Sequence, residues 1–294
     1  MWQLISLKAK HKKQIQYGYT GERTLALKLM YITNNPEVAL IAEKNGVDRI
    51  WVDLESEGKE ERQKGQNSVK SNHTIKDIEA IAPLLTTSEM LVRINPWSER
   101  SVKEVDRVIR AGAELIMLPM WKTVEEVERF VRCINGRCKT ILLLETKEAV
   151  ECLDDVLKIP GIDEIHIGLN DLHLSYQLTF MFEPLINGII ENIVKKIKNT
   201  DIPYGFGGIA RIGEGDIPAE MIILEHYRLG STRAILSRSF CSNMKIDNTE
   251  IMKKMFLKNI GELREFEKKA EKTGFNKLED NHKKLFSMIN EIIK

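Results

Sequence analysis

The chain is poor in the features that would mark a special environment. Its four cysteines, Cys133, Cys138, Cys152 and Cys241, include no CxxC pair, so the paired spacing of a zinc site is missing. Free thiols in a reducing compartment are the expectation. No run approaches the roughly 20 apolar residues that a membrane-spanning helix needs. The N-terminus lacks an apolar stretch followed by a small-residue cleavage site. An excess of charge of one sign is absent too. The 44 basic residues stand against 43 acidic ones, for a net charge of +1, which leaves no electrostatic footprint for nucleic acid. The basic stretch 8-KAKHKK-13 reads as a solvated arm. These absences predict a soluble, cytoplasmic protein with neither a membrane nor a nucleic-acid partner. With 43% hydrophobic and 30% charged residues over 294 positions, the composition excludes wholesale disorder and suits one large α/β domain or two small ones.

What is present is a repeated local pattern. The segments 50-IWVDLE-55, 91-LVRIN-95, 141-ILLLET-146 and 165-IHIGLND-171 are apolar runs that stop on charged or polar residues. Such runs read as strands buried on both faces, as in a parallel sheet covered by helices. Strands are predicted at 25–32, 48–55, 89–95, 114–120, 140–146, 164–170, 203–209 and 234–240, with amphipathic stretches between them. Asn35 and Pro36 open one helix that Gly46 ends, and Thr123 with Glu126 forms a capping-box pattern before a helix that Gly136 closes. A third helix is predicted over 101–112, with Val102, Val105, Val108 and Ile109 on one face. Eight strands alternating with helices predict an α/β fold, a (β/α)8 TIM barrel. The competing open sheet usually has a glycine-rich turn after its first strand, and 32-ITNNPEV-38 has none. The expected organisation is an N-terminal arm over 1–24, the barrel over 25–248, and a C-terminal helical extension over 249–294. The apolar positions of the last helix, Leu285, Met288, Ile289, Ile292 and Ile293, must bury on their own barrel or on a neighbouring subunit. The neighbouring subunit is favoured, which makes a homo-oligomer.

A carboxylate or guanidinium at the end of a buried strand does nothing for packing and is costly to bury unpaired. Asp53, Glu55, Arg93, Glu145 and Asp171 are therefore expected to converge at the C-terminal rim, where barrels of this kind keep their chemistry. Glu145 and Asp171 end adjacent strands, and two carboxylates completed by water suit a hard divalent cation. The plainer alternative is that each caps a helix or pairs with a lysine. Arg93 can neutralise an enolate oxygen or clamp a carboxylate, or stand in a permanent ion pair with Asp53 or Glu55. Gly168 and the amides of Asn170 and Asp171 could form an anion pocket at the start of the next helix. The 205-GFGGI-209 segment offers a weaker close-approach backbone, and Arg211 a weak anion contact. His166 reads as a core histidine; His173 and His226 carry no argument.

The ordered series DLE, VRIN, LPM, LLLET-x-x-AV and GLNDL resembles the HpcH/HpaI aldolase and citrate lyase β-subunit family over roughly residues 25–240. The resemblance implies a (β/α)8 barrel, often with a C-terminal helix exchanged between subunits. It implies a divalent metal, magnesium foremost with manganese and cobalt as alternatives, held by Glu145 and Asp171. It also implies that Arg93 stabilises an enolate and that Asp53 and Glu55 support the metal's waters and the arginine. The activity implied is carbon–carbon cleavage of a 4-hydroxy-2-keto acid to pyruvate, or a similar 2-keto acid, and an aldehyde.

One position departs from that pattern. The aldolases of the family carry histidine directly after the strand-two glutamate, and this chain has Ser56. His73 could serve as a replacement base or could cap the helix that begins near Thr74. The charged segment between them, with Lys59, Arg62 and Lys64, reads as a solvated surface or a contact to a polar substrate. The rival readings are citrate-lyase-like cleavage of a β-hydroxyacyl-CoA thioester and a non-catalytic barrel that binds a keto acid.

Overall fold

In the computed structural model the described residues are 26–56, 72–237, 240 and 249–294. The expected N-terminal arm, the contacts assigned to Lys59, Arg62 and Lys64, and Cys241 lie outside them. Eight parallel strands close into a barrel in sequence order: β1 (Lys28–Ile32), β2 (Arg49–Asp53), β3 (Glu89–Arg93), β4 (Leu115–Leu118), β5 (Lys139–Leu144), β6 (Glu164–Ile167), β7 (Tyr204–Ile209) and β8 (Arg233–Leu236). The helices are α1 (Pro36–Lys44), α2 (Ile75–Ile81), α3 (Ser101–Ala111), α4 (Val124–Ile134), α5 (Lys147–Glu151), α6 (Leu153–Val156), α7 (Leu169–Ser175), α8 (Ile189–Ile197), α9 (Ala219–Leu229), α10 (Thr249–Glu271) and α11 (Phe275–Ile292). Among the described residues, no helix is long and apolar enough to cross a membrane.

Local chemistry sets several of these boundaries as the sequence predicts. The Asn35 carboxamide oxygen accepts from the amides of Glu37 and Val38, and Thr123 and Glu126 form the reciprocal capping box. Val105 and Val108 of α3 are fully buried, but Val102 is exposed. It lies in the first turn of the helix.

Strand alternation divides the core in two. Met30, Trp51, Leu91, Leu115, Met117, Ile141 and Leu143 fill the barrel interior, while the other faces of the strands pack with the helices in a larger outer cluster. At the N-terminal end of the barrel the filling is ionic. Arg49, wholly buried, donates to both carboxylate oxygens of Glu164 across the axis and to Glu89 at 3.0 Å. Arg233 adds a bond to Glu164 at 2.8 Å, and Lys139 one to Glu89 at 2.6 Å. Burial alone would raise the Glu164 pKa, but Arg49 and Arg233 hold it down to about 2.

The glycines of 205-GFGGI-209 are strand residues of β7. A Cβ on Gly205 would stand 2.4 Å from the Arg233 carbonyl oxygen, so this glycine admits β8. The register shifts between Gly205 and Gly208 mark a bulge. Gly205 thus serves strand packing, while Gly207 lies against Leu169.

The C-terminal extension wraps its own barrel. On α10, Arg264 donates to the Leu27 carbonyl and Glu267 accepts the Leu27 amide, at 2.8 and 2.7 Å. On α11, Leu278, Leu285 and Ile289 are buried, and Asn281 donates to the Met221 carbonyl of α9 at 3.1 Å. Leu285 and Ile289 of the predicted stripe pack within this chain, where α11 lies against α9. Phe275, Phe286 and Ile292 stay exposed.

Candidate active site

The site is built at the ends of β2, β3, β5 and β6, on the rim opposite the ionic floor. Asp53 and Arg93 are direct register partners. The Arg93 Nε donates to Asp53 Oδ1 at 2.8 Å and its Nη2 to Oδ2 at 2.9 Å, a two-pronged pair; Nη2 also lies 3.1 Å from Glu55 Oε2. Its guanidinium sits 5.2 Å above the Trp51 ring, a cation–π contact from the barrel interior. Burial alone would lower the Arg93 pKa, but Asp53 and Glu55 together raise it above its ordinary value. The permanent ion pair is therefore formed, and it orients the guanidinium.

Glu145 follows β5 and is almost completely buried. Its Oε1 accepts the Met120 amide at 3.1 Å, and Gly168, at the end of β6, packs against it. Burial pushes its pKa well up, and the charge of Asp171 adds to this; the opposing charge of Arg93 does not compensate. Asp171 stands in the first turn of α7, after Asn170. Gly168 donates its own amide to the Leu144 carbonyl at 3.0 Å and caps α7. The amides of Asn170 and Asp171 fall in that helix's first turn, whose N–H groups have no acceptor within the helix.

His73 reaches the site, though not as a helix cap. Thr74 and Asp77 form the capping box of α2. The His73 Nδ1 instead accepts the Asp53 amide at 3.0 Å. In the neutral ring an accepting Nδ1 leaves the proton on Nε2, so this placement makes His73 a hydrogen-bond donor at its other nitrogen. That speaks against its acting as a base there. Ser56 is fastened separately: its amide donates to Asn95 Oδ1 at 2.9 Å, and the Asn95 carboxamide donates to Glu104 at 2.8 Å.

The remaining sequence candidates fall away from the cluster. Arg211 pairs with Glu214 at 2.6 Å on the surface. His166 is buried inside the barrel, and burial lowers its pKa to about 4. His226 stacks on Phe206 at 3.9 Å, bonds Ser231 Oγ at 2.7 Å, and is lowered by burial to about 3. Sequence reasoning missed Met120, Trp51 and Asn95. The Asn95 role was hinted at by the polar stop of 91-LVRIN-95; Met120 lies in the LPM motif of the resemblance, which said nothing of its contact to Glu145, and nothing gave Trp51 a role.

Among the described residues, no group of three or more His, Cys, Asp or Glu side chains is arranged to hold a metal. The buried Glu145 carboxylate, which feels the charge of the half-buried Asp171, still fits a hard divalent ion that keeps several waters or substrate oxygens. A cation held there would offset both the burial and the Asp171 charge that raise Glu145.

These features define a (β/α)8 barrel with an acidic, arginine-containing cluster at its C-terminal rim. The chain belongs to the HpcH/HpaI aldolase/citrate lyase family, whose profile matches residues 28–198. It is 26% identical over 137 residues to the 2-keto-3-deoxy-L-rhamnonate aldolase of Escherichia coli strain K12, a match covering 44% of this chain and 47% of that enzyme. In that alignment the chain spans about half the length of the curated relative. A longer match, to the enzyme of that name in E. coli O17:K52:H18, is 23% identical over 225 residues and covers 65% of this chain and 76% of the relative. The fold is shared with the HpcH/HpaI aldolase of Desulfitobacterium hafniense DCB-2, with a TM-score of 0.57 and 18% identity over 72% of this chain and 86% of that one. It is also shared with the citrate lyase β subunit of M. tuberculosis complexed with oxaloacetate and magnesium, with a TM-score of 0.53 and 13% identity over 79% and 97%.

Proposed function

We propose that this protein is a divalent-metal-dependent carbon–carbon lyase of the aldolase type. It would cleave a 4-hydroxy-2-keto acid to pyruvate, or a similar 2-keto acid, and an aldehyde. The observation that carries this reading is the buried Glu145 carboxylate within electrostatic reach of both Asp171 and Arg93, the arginine being oriented by Asp53 and Glu55. Glu145 and Asp171 would hold the ion, magnesium foremost. When bound, such an ion supplies Lewis acidity toward the keto oxygen and carboxylate of the substrate.

The chain's own residues handle the charge. As the 4-hydroxyl gives its proton to a base and its oxygen becomes the aldehyde carbonyl, the C3–C4 bond breaks and its electron pair moves toward the 2-keto oxygen, to which Arg93 presents a fixed positive charge. Asp53 and Glu55 keep the guanidinium from turning away. His73 acts through Asp53, holding the end of β2. Gly168 leaves room beside Glu145, and the amides of Asn170 and Asp171 face the substrate carboxylate. The same reading includes assembly into a homo-oligomer, supported by the exposed Phe275, Phe286 and Ile292 on α11.

A second reading has one observation in its favour. The DLE at the end of β2, followed by Ser56 tied to Asn95, resembles the acyl-CoA branch of the family more than the aldolase branch, which favours cleavage of a β-hydroxyacyl thioester. Proton NMR of pyruvate in heavy water tests the first reading. Loss of the methyl signal with magnesium, stopped by a chelator and by Arg93→Ala, supports an enolate-forming lyase. Absence of exchange with magnesium, manganese and cobalt, together with cleavage of a β-hydroxyacyl thioester, would replace it with the second.

A further inference from the structure

Met120 has a left-handed backbone, with φ of +53°. Two other described non-glycine residues share it. Asn135 (φ +48°) is the C-cap of α4, and Gln177 (φ +57°) lies two residues past α7. Both sit in chain reversals after helices, where this conformation is common. Met120 ends no helix. It follows β4 by two residues and precedes α4. An unbranched apolar residue gains nothing from this region of backbone space, and such conformations persist where the surroundings over-determine them.

The surroundings are the end of β5. The Met120 amide donates to Glu145 Oε1 at 3.1 Å. The next residue, Trp121, offers its carbonyl to the Thr146 hydroxyl at 2.8 Å. Trp121 and Thr146 are both buried, so the second bond is shielded from water. Two successive residues of the β4 turn thus grip two successive residues after β5. The left-handed step at Met120 turns its N–H toward the carboxylate while the following carbonyl meets the hydroxyl.

We propose that Met120 is a positioning residue, whose left-handed backbone aims an amide at Glu145 and fixes the direction in which that carboxylate meets a divalent cation. The proposal rests on the reading of Glu145 as a metal ligand. With Oε1 held by the β4 turn, Oε2 is left on the side of Gly168. The conformation of residue 120 matters in this account, and its thioether does not.

That distinction gives the test. Full-length Met120→Asn and Met120→Gly keep left-handed geometry accessible, whereas Met120→Ile and Met120→Thr, being β-branched, oppose it. Manganese affinity is read from the free-ion electron paramagnetic resonance signal, and thermal unfolding in chelator confirms that each variant folds. The Asn and Gly variants are expected to bind within about twofold of the unchanged protein, and the β-branched ones about ten- to a hundredfold more weakly, the usual effect of losing a group that orients a ligand. Threonine serves where isoleucine does not fold. Equal affinity across all folded variants would overturn the proposal. So would an equal loss in all of them, which would assign the effect to the thioether. If the unchanged protein binds no manganese, the metal reading itself fails and this one with it.

Discussion

Gly168 and Glu145 stand so close that a single added carbon on the glycine would lie 2.7 Å from Oε2 of the carboxylate and 3.0 Å from its Cβ. The φ of Gly168 is −84°, so backbone freedom is not what requires glycine at this position. The space belongs to Glu145.

Gly168→Ala is therefore expected to fold and to bind metal poorly. The methyl group displaces the carboxylate, and magnesium affinity measured calorimetrically should fall by about tenfold or more. Unfolding free energy should drop by only about 1–2 kcal/mol, in the range for mild overpacking. Unchanged affinity would mean that Glu145 is not a ligand or moves freely.

Glu145→Gln separates the cost of the carboxylate from its use. Burial and Asp171 both disfavour its charged form, so the metal-free variant should be more stable than the unchanged protein by about 1–2 kcal/mol. Magnesium should then no longer raise its melting temperature. The unchanged protein should gain about 2.7 kcal/mol at a hundredfold excess over Kd. Thermal unfolding with and without magnesium reads both effects.

Arg93→Ala and Asp53→Asn should differ in kind. The first removes the charge that meets the developing oxyanion, so turnover should vanish while metal affinity stays. The second leaves Arg93 with one prong and Glu55, so turnover should fall by about 10²-fold, the scale of a misoriented electrostatic group. A loss of metal binding in Arg93→Ala would show that the arginine also supports the ion site.

Acid should destabilise the fold through two histidines. Burial lowers the pKa of His166 to about 4 and of His226 to about 3, from 6.5. Below pH 6.5 the unfolded chain takes up protons that the folded rings refuse, so each ring's contribution falls as pH drops from 6.5 toward its folded value. At pH 5 the loss is about 2 kcal/mol per ring. His226→Gln is less stable at pH 7.5, having lost a charge-neutral packing partner. Its deficit should shrink by about 2 kcal/mol at pH 5. A deficit that stays constant in urea titrations at the two pH values would refute this.

The barrel was legible because its strands are long apolar runs with abrupt polar ends, and that pattern does not depend on tertiary context. Asp53, Glu55, Arg93 and Glu145 were legible for the same reason, since charge at the end of a buried strand needs an explanation. His73 was harder. Its ring docks on an amide 20 residues earlier in the chain, and a histidine before a capping threonine looks like part of the cap. Met120 stood in the LPM motif, but its conformation left no trace, because a left-handed backbone is usually read from glycine or asparagine. The bulge in β7 was not legible, since glycine clusters look alike whether they admit a ligand or a neighbouring strand. The packing of Leu285 and Ile289 against α9 was not legible, since periodicity in α11 alone does not reveal the face that α9 offers.

The ionic floor carries a consequence for how such a molecule can change. Arg49, Glu164, Glu89, Arg233 and Lys139 close the far end of the barrel with charges that satisfy one another, so reactants must enter and products leave by the rim. Persistence of the scaffold is thus secured at one pole and chemistry is exposed at the other, with a greasy middle between them. Loops at the mouth can be lengthened, exchanged or re-sequenced without disturbing the electrostatic seal. A new substrate can be acquired by editing the doorway while the foundation stays as it was.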